Sequence, residues 1–90
     1  MTTERFVELA KEKVVEYIVS NVVEKGGYLV EPPKIFVVWY AKVLQNHKAL
    51  LAVDDPNDRH YYEATYNGDK KQLYLDVYDK QENKCFEVDD

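Results

Sequence analysis

Asn67-Gly68 is the dipeptide that most constrains this chain. Asn-Gly readily supplies the two positive-φ positions of a type I′ turn, whose twist suits two antiparallel strands. Alternating runs flank it, about residues 59–66 and 69–79, so the segment predicts a β-hairpin. With Asn67 and Gly68 at the centre of the turn, Tyr62 meets Leu73 and Ala64 meets Lys71 on one face. On the other, Tyr61 meets Tyr74, Arg59 meets Asp76 and Glu63 meets Gln72. Leu73, Leu75 and Val77 then share the core side with Tyr62 and Ala64. Tyr61, Tyr74 and Tyr78 share the outer side with Arg59, Glu63 and Asp76.

Upstream, Phe6, Leu9, Ala10, Val14, Tyr17, Ile18 and Val22 recur at helical steps and predict one helix over about residues 3–25. Thr2 or Thr3 can cap its start, and Gly26-Gly27 suits its end. Val7, Val15, Val19 and Val23 lie off the main stripe. Pro32-Pro33 marks an extended spacer. A strand follows over about 34–44, a turn at Gln45-Asn46-His47, and a second strand over 48–53. Residues 41–51 also contain good helix formers, so a short helix there is the alternative. Asp54-Asp55-Pro56-Asn57-Asp58 is a loop. A turn at Gln81-Glu82-Asn83 leaves room for a fifth strand over 84–88.

The expected fold is therefore a single α+β domain, with one N-terminal helix packed on an antiparallel meander of four strands, or five. Phe6, Leu9, Val14 and Ile18 are expected to meet Val37, Trp39, Leu51, Leu73, Leu75 and Val77. The first strand is apolar on both faces, and one helix covers only one of them. That leaves Phe36, Val38 and Tyr40 without a cover and predicts self-association, as a two-fold dimer.

Charge and composition narrow the function. A net charge of −5 repels phosphate backbones at long range, so direct nucleic-acid binding is not expected despite the tyrosines. The single cysteine, Cys85, permits no intramolecular disulfide and suits a reducing cytoplasm. No run is long and apolar enough for a membrane helix, and the N-terminus does not read as a signal peptide. His47 and His60 lack neighbours at ligand spacing, and Asp54, Asp55, Asn57 and Asp58 lack a calcium-loop register. Glu63 and Asp76 on an open sheet would keep ordinary acidity, which does not suit an acid–base pair. No catalytic residue, cofactor or metal is expected.

At Val37-Val38-Trp39-Tyr40-Ala41-Lys42-Val43-Leu44-Gln45-Asn46-His47-Lys48-Ala49-Leu50 and again at Tyr61-Tyr62-Glu63-Ala64-Thr65-Tyr66-Asn67-Gly68-Asp69-Lys70-Lys71, the chain resembles a family of short uncharacterised proteins. These are encoded by phages and prophages of Gram-positive bacteria. The resemblance spans about residues 35–84 and implies a biological setting, with no activity attached. Together these readings predict a non-enzymatic accessory protein in the host cytoplasm that binds an unidentified protein through Tyr61, Tyr74, Tyr78, Arg59, Glu63 and Asp76. The alternative is an acidic inhibitor or nucleic-acid mimic, with Asp54, Asp55, Asp58 and Asp76 standing in for phosphates.

Overall fold

The computed structural model describes residues 1–89. Helix α1 (Thr3–Glu24) precedes strands β1 (Ile35–Val43), β2 (Asn46–Val53), β3 (His60–Asn67) and β4 (Gln72–Asp79). The strands form one antiparallel sheet in the order β1-β2-β3-β4, and the helix packs on one side of it. The molecule measures 49 × 39 × 18 Å. Its thin axis accommodates one helix on one sheet and no third layer.

Local chemistry sets the helix ends. The Thr2 side chain accepts from the Arg5 N–H at 3.1 Å, satisfying an amide of the first turn. At the other end Gly27 donates to the Val22 carbonyl and Gly26 to that of Val23, with Gly26 in the left-handed region at φ 78°. This pairing closes a helix on a glycine because a side chain resists that backbone conformation.

Ala49, Leu51, Tyr62 and Ala64 from β2 and β3 form the core with Phe6, Ala10 and Val14 of α1. The three alanines let the helix approach the sheet, while Phe6, Leu51 and Tyr62 fill the volume between them. Leu73, Leu75 and Val77 of β4 pack at the margin, as do Val7 and Ile18. Leu9 is only half-buried and lies outside this cluster.

Four expectations need correction. Residues 41–51 form a β-hairpin with no helix, but its turn is Leu44-Gln45, so β2 begins at Asn46 and His47 lies within the strand. Leu44 takes a left-handed conformation at φ 56°, about 1–2 kcal/mol unfavourable for such a residue, held by the pairing on both sides. Second, the β1–β2 register shifts between Val37 and Trp39, which makes Val38 an extra, bulged residue. The bulge exchanges the faces of the residues after it. Tyr40, expected on the uncovered side, joins the helix side opposite Ala49, and Trp39, expected in the core, moves to the outer side opposite Leu50.

Third, the β3–β4 connection is a four-residue loop, residues 68–71, closed by Asn67 opposite Gln72. Tyr61 therefore opposes Tyr78, Tyr74 opposes Thr65, and Glu63 opposes Asp76; Arg59 precedes the ladder. The strands have slipped by four residues from the expected register. An even slip keeps every side chain on its face. Lys71, at φ 52°, takes the left-handed position assigned to the Asn-Gly pair. Asn67 instead accepts with Oδ1 from the N–H groups of Asp69 and Lys70 at 3.0 and 3.2 Å. Gly68 is needed for close approach: its N–H donates to Asn46 Oδ1 at 2.9 Å, and a Cβ there would run into the Gln45 side chain and carbonyl. Fourth, residues 80–89 carry no strand, so the meander has four strands among the described residues.

Candidate protein-binding face

The side of the sheet away from α1 brings together residues expected at two separate surfaces. β1 contributes Phe36, Val38 and Trp39, exposed at 47, 45 and 41%. β3 and β4 contribute Tyr61, Tyr74 and Tyr78, which are exposed as well. Leu50 and Ala52 of β2 lie between them, with Ala52 itself buried. Of the expected self-association set, Phe36 and Val38 are on this face and Tyr40 is not. Of the expected partner-binding set, Tyr61, Tyr74, Tyr78, Glu63 and Asp76 are on it, and Arg59 lines a shallow depression beside Tyr61.

Charge divides the face in two. On the β1–β2 half the ionised residue within the strands is Lys48, at the end near the turn. Its Nζ lies 3.5 Å from Glu63. The β3–β4 half holds Glu63 directly opposite Asp76. Like charges facing each other across a ladder are destabilising, and Asp76 has no ion-pair partner among the described residues. Lys80 sits over the Tyr61 ring, 4.3 Å from its centroid. Tyr74 donates to Gln72 Oε1 at 2.6 Å. Each tyrosine thus offers a broad ring with a polar tip, the combination that recurs at protein interfaces.

The helix side holds two polar clusters that the sequence reading did not assemble. In the first, the Tyr40 hydroxyl lies 2.6 Å from His47 Nδ1 and 3.1 Å from Thr3 Oγ1. The His47 ring stacks on Phe6 with centroids 5.1 Å apart and meets Tyr66 edge-on. His47 is 1% exposed, and its Nε2 has no hydrogen-bond partner. Burial, and next the nearby Lys42 ammonium, hold its pKa below the ordinary value.

In the second cluster, Asp58 accepts from the Tyr62 hydroxyl at 3.0 Å and from the His60 backbone N–H at 2.9 Å. His60 bridges two carboxylates, with Nδ1 2.8 Å from Asp58 and Nε2 3.1 Å from Asp79. Burial, and then the bond to Asp58, push the Tyr62 hydroxyl's pKa up. These contacts tie the 54–59 loop to the sheet. They also separate the expected acidic row: Asp58 turns toward the helix side with Tyr62, Asp55 accepts from the Asn57 N–H, and Asp76 faces the opposite side. Off-stripe Val19 and Val23 border a groove of about 370 Å³ with Leu29 and Pro32, so the proline pair lies against the end of α1.

Fold and surface define a small α+β module with one covered and one open sheet face. The chain belongs to a family of unknown function (DUF6275), whose model matches residues 7–88. No curated protein and no solved structure matches it. Among the described residues no helix is long and apolar enough to cross a membrane.

Proposed function

We propose that the protein is a non-enzymatic accessory protein, of the phage or prophage kind its sequence resembles, that acts in the host cytoplasm by binding another protein through the β3–β4 half of the open face. One observation carries the reading: five exposed aromatic residues, Phe36, Trp39, Tyr61, Tyr74 and Tyr78, stand on one uncovered side of the sheet. Exposed tyrosines grouped in this way, as Tyr61, Tyr74 and Tyr78 are on β3 and β4, recur at protein contact surfaces. Lys48 relieves the Glu63–Asp76 opposition on the Glu63 side only, which suits a partner that brings a lysine or arginine to Asp76. Binding requires no reaction, and none is proposed. The mimicry reading has less support, because its carboxylates are divided between the two sides of the sheet.

Affinity capture from host lysate tests this, with the wild type compared against a Tyr61→Ala/Tyr74→Ala variant whose fold is verified by circular dichroism. The expected result is a partner retained by the wild type and lost by the variant. Identical capture by both refutes the tyrosine face as the binding surface. A captured nuclease or repressor whose binding weakens steeply with salt would instead favour mimicry.

A further inference from the structure

The two edges of the sheet differ. β1 is interrupted by the bulge at Val38 and carries Lys42 near its end, two devices that discourage another strand from pairing there. β4 has neither. All of its residues pair with β3 without a shift in register, and none is proline, glycine or lysine. The Lys80 N–H donates to the Arg59 carbonyl at 2.7 Å, which makes these two a hydrogen-bonded pair of the antiparallel ladder. Bonded pairs alternate with non-bonded ones, so Tyr78, Asp76 and Tyr74 also bond to β3. Val77, Leu75 and Leu73 then turn their N–H and C=O groups away from it, along the open edge.

The surfaces on either side of this edge suit an added strand. On the helix side, a groove of about 300 Å³ runs between α1 and β4, lined by Lys13, Glu16, Tyr17, Ser20, Leu73 and Leu75. Lys13 and Glu16 pair with each other at 3.1 Å, so the groove holds no unmatched charge, and the half-buried Leu73 and Leu75 form its apolar wall. On the outer side Asp76 stands between the exposed Tyr74 and Tyr78. Lys48 reaches Glu63, and among the described residues no cation reaches Asp76.

The chain's own segments fit this edge poorly. With a turn at residues 81–83, Phe86 would lie opposite Tyr78, but Glu87 would face Val77 and Asp89 would face Leu75 on the helix side. That parity sets carboxylates against an apolar wall and brings Val88, rather than a cation, to Asp76. It accounts for the lack of a strand over residues 80–89. A second copy adding its own β4 brings Asp76 and Asp79 to the edge and no cation.

We propose that the free edge of β4 is a strand-addition site, where an extended segment of the partner protein pairs as a fifth strand. Its alternate apolar side chains enter the groove beside Leu73 and Leu75, and a lysine or arginine on its other side meets Asp76. A residue opposite Asp76 in the added strand belongs to a non-hydrogen-bonded pair, in which side chains lie closest. The rings of Tyr74 and Tyr78 offer their faces to that cation. Main-chain bonds to Leu73, Leu75 and Val77 hold the segment, and alternate side chains select it. The proposal rests on the reading of the β3–β4 half as a protein-binding surface and names the partner's chemistry: a strand-forming, alternating segment of positive charge.

Amide exchange of the full chain, followed residue by residue by NMR, tests it. In the protein alone, the N–H groups of Leu73, Leu75 and Val77 exchange fast and those of Tyr74, Asp76 and Tyr78 slowly. The probe is a synthetic peptide of eight residues, as long as β4, alternating valine with threonine and carrying lysine at a central threonine position. Near saturation it slows exchange at Leu73, Leu75 and Val77 by about tenfold or more. Glutamate in place of the peptide's lysine weakens binding by about tenfold, and Asp76→Asn removes most of that difference. N-methylation of the peptide residues whose N–H groups face β4 abolishes binding. Should Asp76→Asn fail to fold, the lysine, glutamate and N-methyl peptides on the wild type decide.

A lysine peptide that fails to bind at about 1 mM, or that binds without slowing these three amides, overturns strand addition and leaves the tyrosine face to its capture test. Protection along β1 instead overturns the choice of edge. Slow exchange at the three amides in the protein alone also overturns the proposal, because the edge is then already filled. Residues 84–88 fill it if concentration has no effect, and a second copy does if protection rises with concentration. Slowed amides alongside a capture indifferent to Tyr61→Ala/Tyr74→Ala uphold the edge and refute the tyrosines.

Discussion

The two sides of the sheet are built from similar residue types and end in opposite states. On the helix side, Ala10, Ala49 and Ala64 bring backbones close, and Phe6, Leu51 and Tyr62 are removed from water. On the outer side, Phe36, Trp39 and the three tyrosines keep about a third to half of their surface exposed. Apolar area stabilises the fold by about 25 cal/mol for each Å² removed from water. The same chemistry therefore supplies stability on one side and stays available for contact on the other. Position relative to the helix, rather than residue type, separates the two roles.

The contrast breaks first at Phe6. Phe6→Ala should destabilise by about 3–5 kcal/mol, through lost burial and a cavity beside His47. In a domain whose total stability is about 5–15 kcal/mol, urea unfolding will show this plainly. Tyr62→Phe keeps the ring and removes the donor to Asp58, and the expected loss is about 1.5–3 kcal/mol in the same assay. Asp58→Ala should abolish most of the difference between tyrosine and phenylalanine at position 62 if that bond is the cause.

Gly68→Ala tests the corrected hairpin. Its Cβ meets the Gln45 side chain and carbonyl, so an overpacking loss of about 1–3 kcal/mol is expected. Lys71→Gly gives another control: it should stabilise or be neutral, because Lys71 holds the left-handed position of the loop at φ 52°, whereas a type I′ turn would put Lys71 in the strand, where glycine destabilises.

His47 gives the helix side a pH dependence. Its folded pKa lies below the unfolded value of 6.5, so in the transition region the unfolded chain binds the extra proton. Its contribution is complete above pH 6.5 and is lost as pH falls through the folded pKa. Denaturation midpoints at descending pH should fall more for the wild type than for His47→Phe; equal slopes would remove His47 as the cause. The smallest effect belongs to the outer side. Tyr74→Ala should change monomer stability by no more than about 0.5 kcal/mol, as for most surface positions. A loss as large as that at Phe6 would show that the outer side contributes to the core.

Much of this was legible in the residues. The α1 stripe, its Gly26-Gly27 stop and the alternation of β3 and β4 placed Phe6, Val14, Tyr62 and Ala64 inside and Tyr61, Tyr74 and Tyr78 outside. Those faces hold although the turn is not type I′, since a slip of four residues leaves face parity unchanged. β1 was different. Being apolar on both faces, it offers no alternation from which a bulge is visible, and so Trp39 and Tyr40 each take the side expected of the other. The His47 and Asp58–His60–Tyr62 clusters were illegible for another reason: their members come from separate elements and meet only when the meander closes.

By itself, the sequence determined the class of fold, the ends of the helix and which face each residue of the β3–β4 hairpin takes. These follow from local periodicity and from backbone preferences that operate over a few residues. Only the tertiary structure decided the loop at residues 68–71, the bulge at Val38 and the union of Phe36 and Trp39 with the three tyrosines. Gly68 shows why: its requirement comes from Gln45, more than twenty residues away on a neighbouring turn. The bulge likewise answers to the packing of Tyr40 beneath α1, with Thr3 and His47, a constraint that no window of local sequence contains.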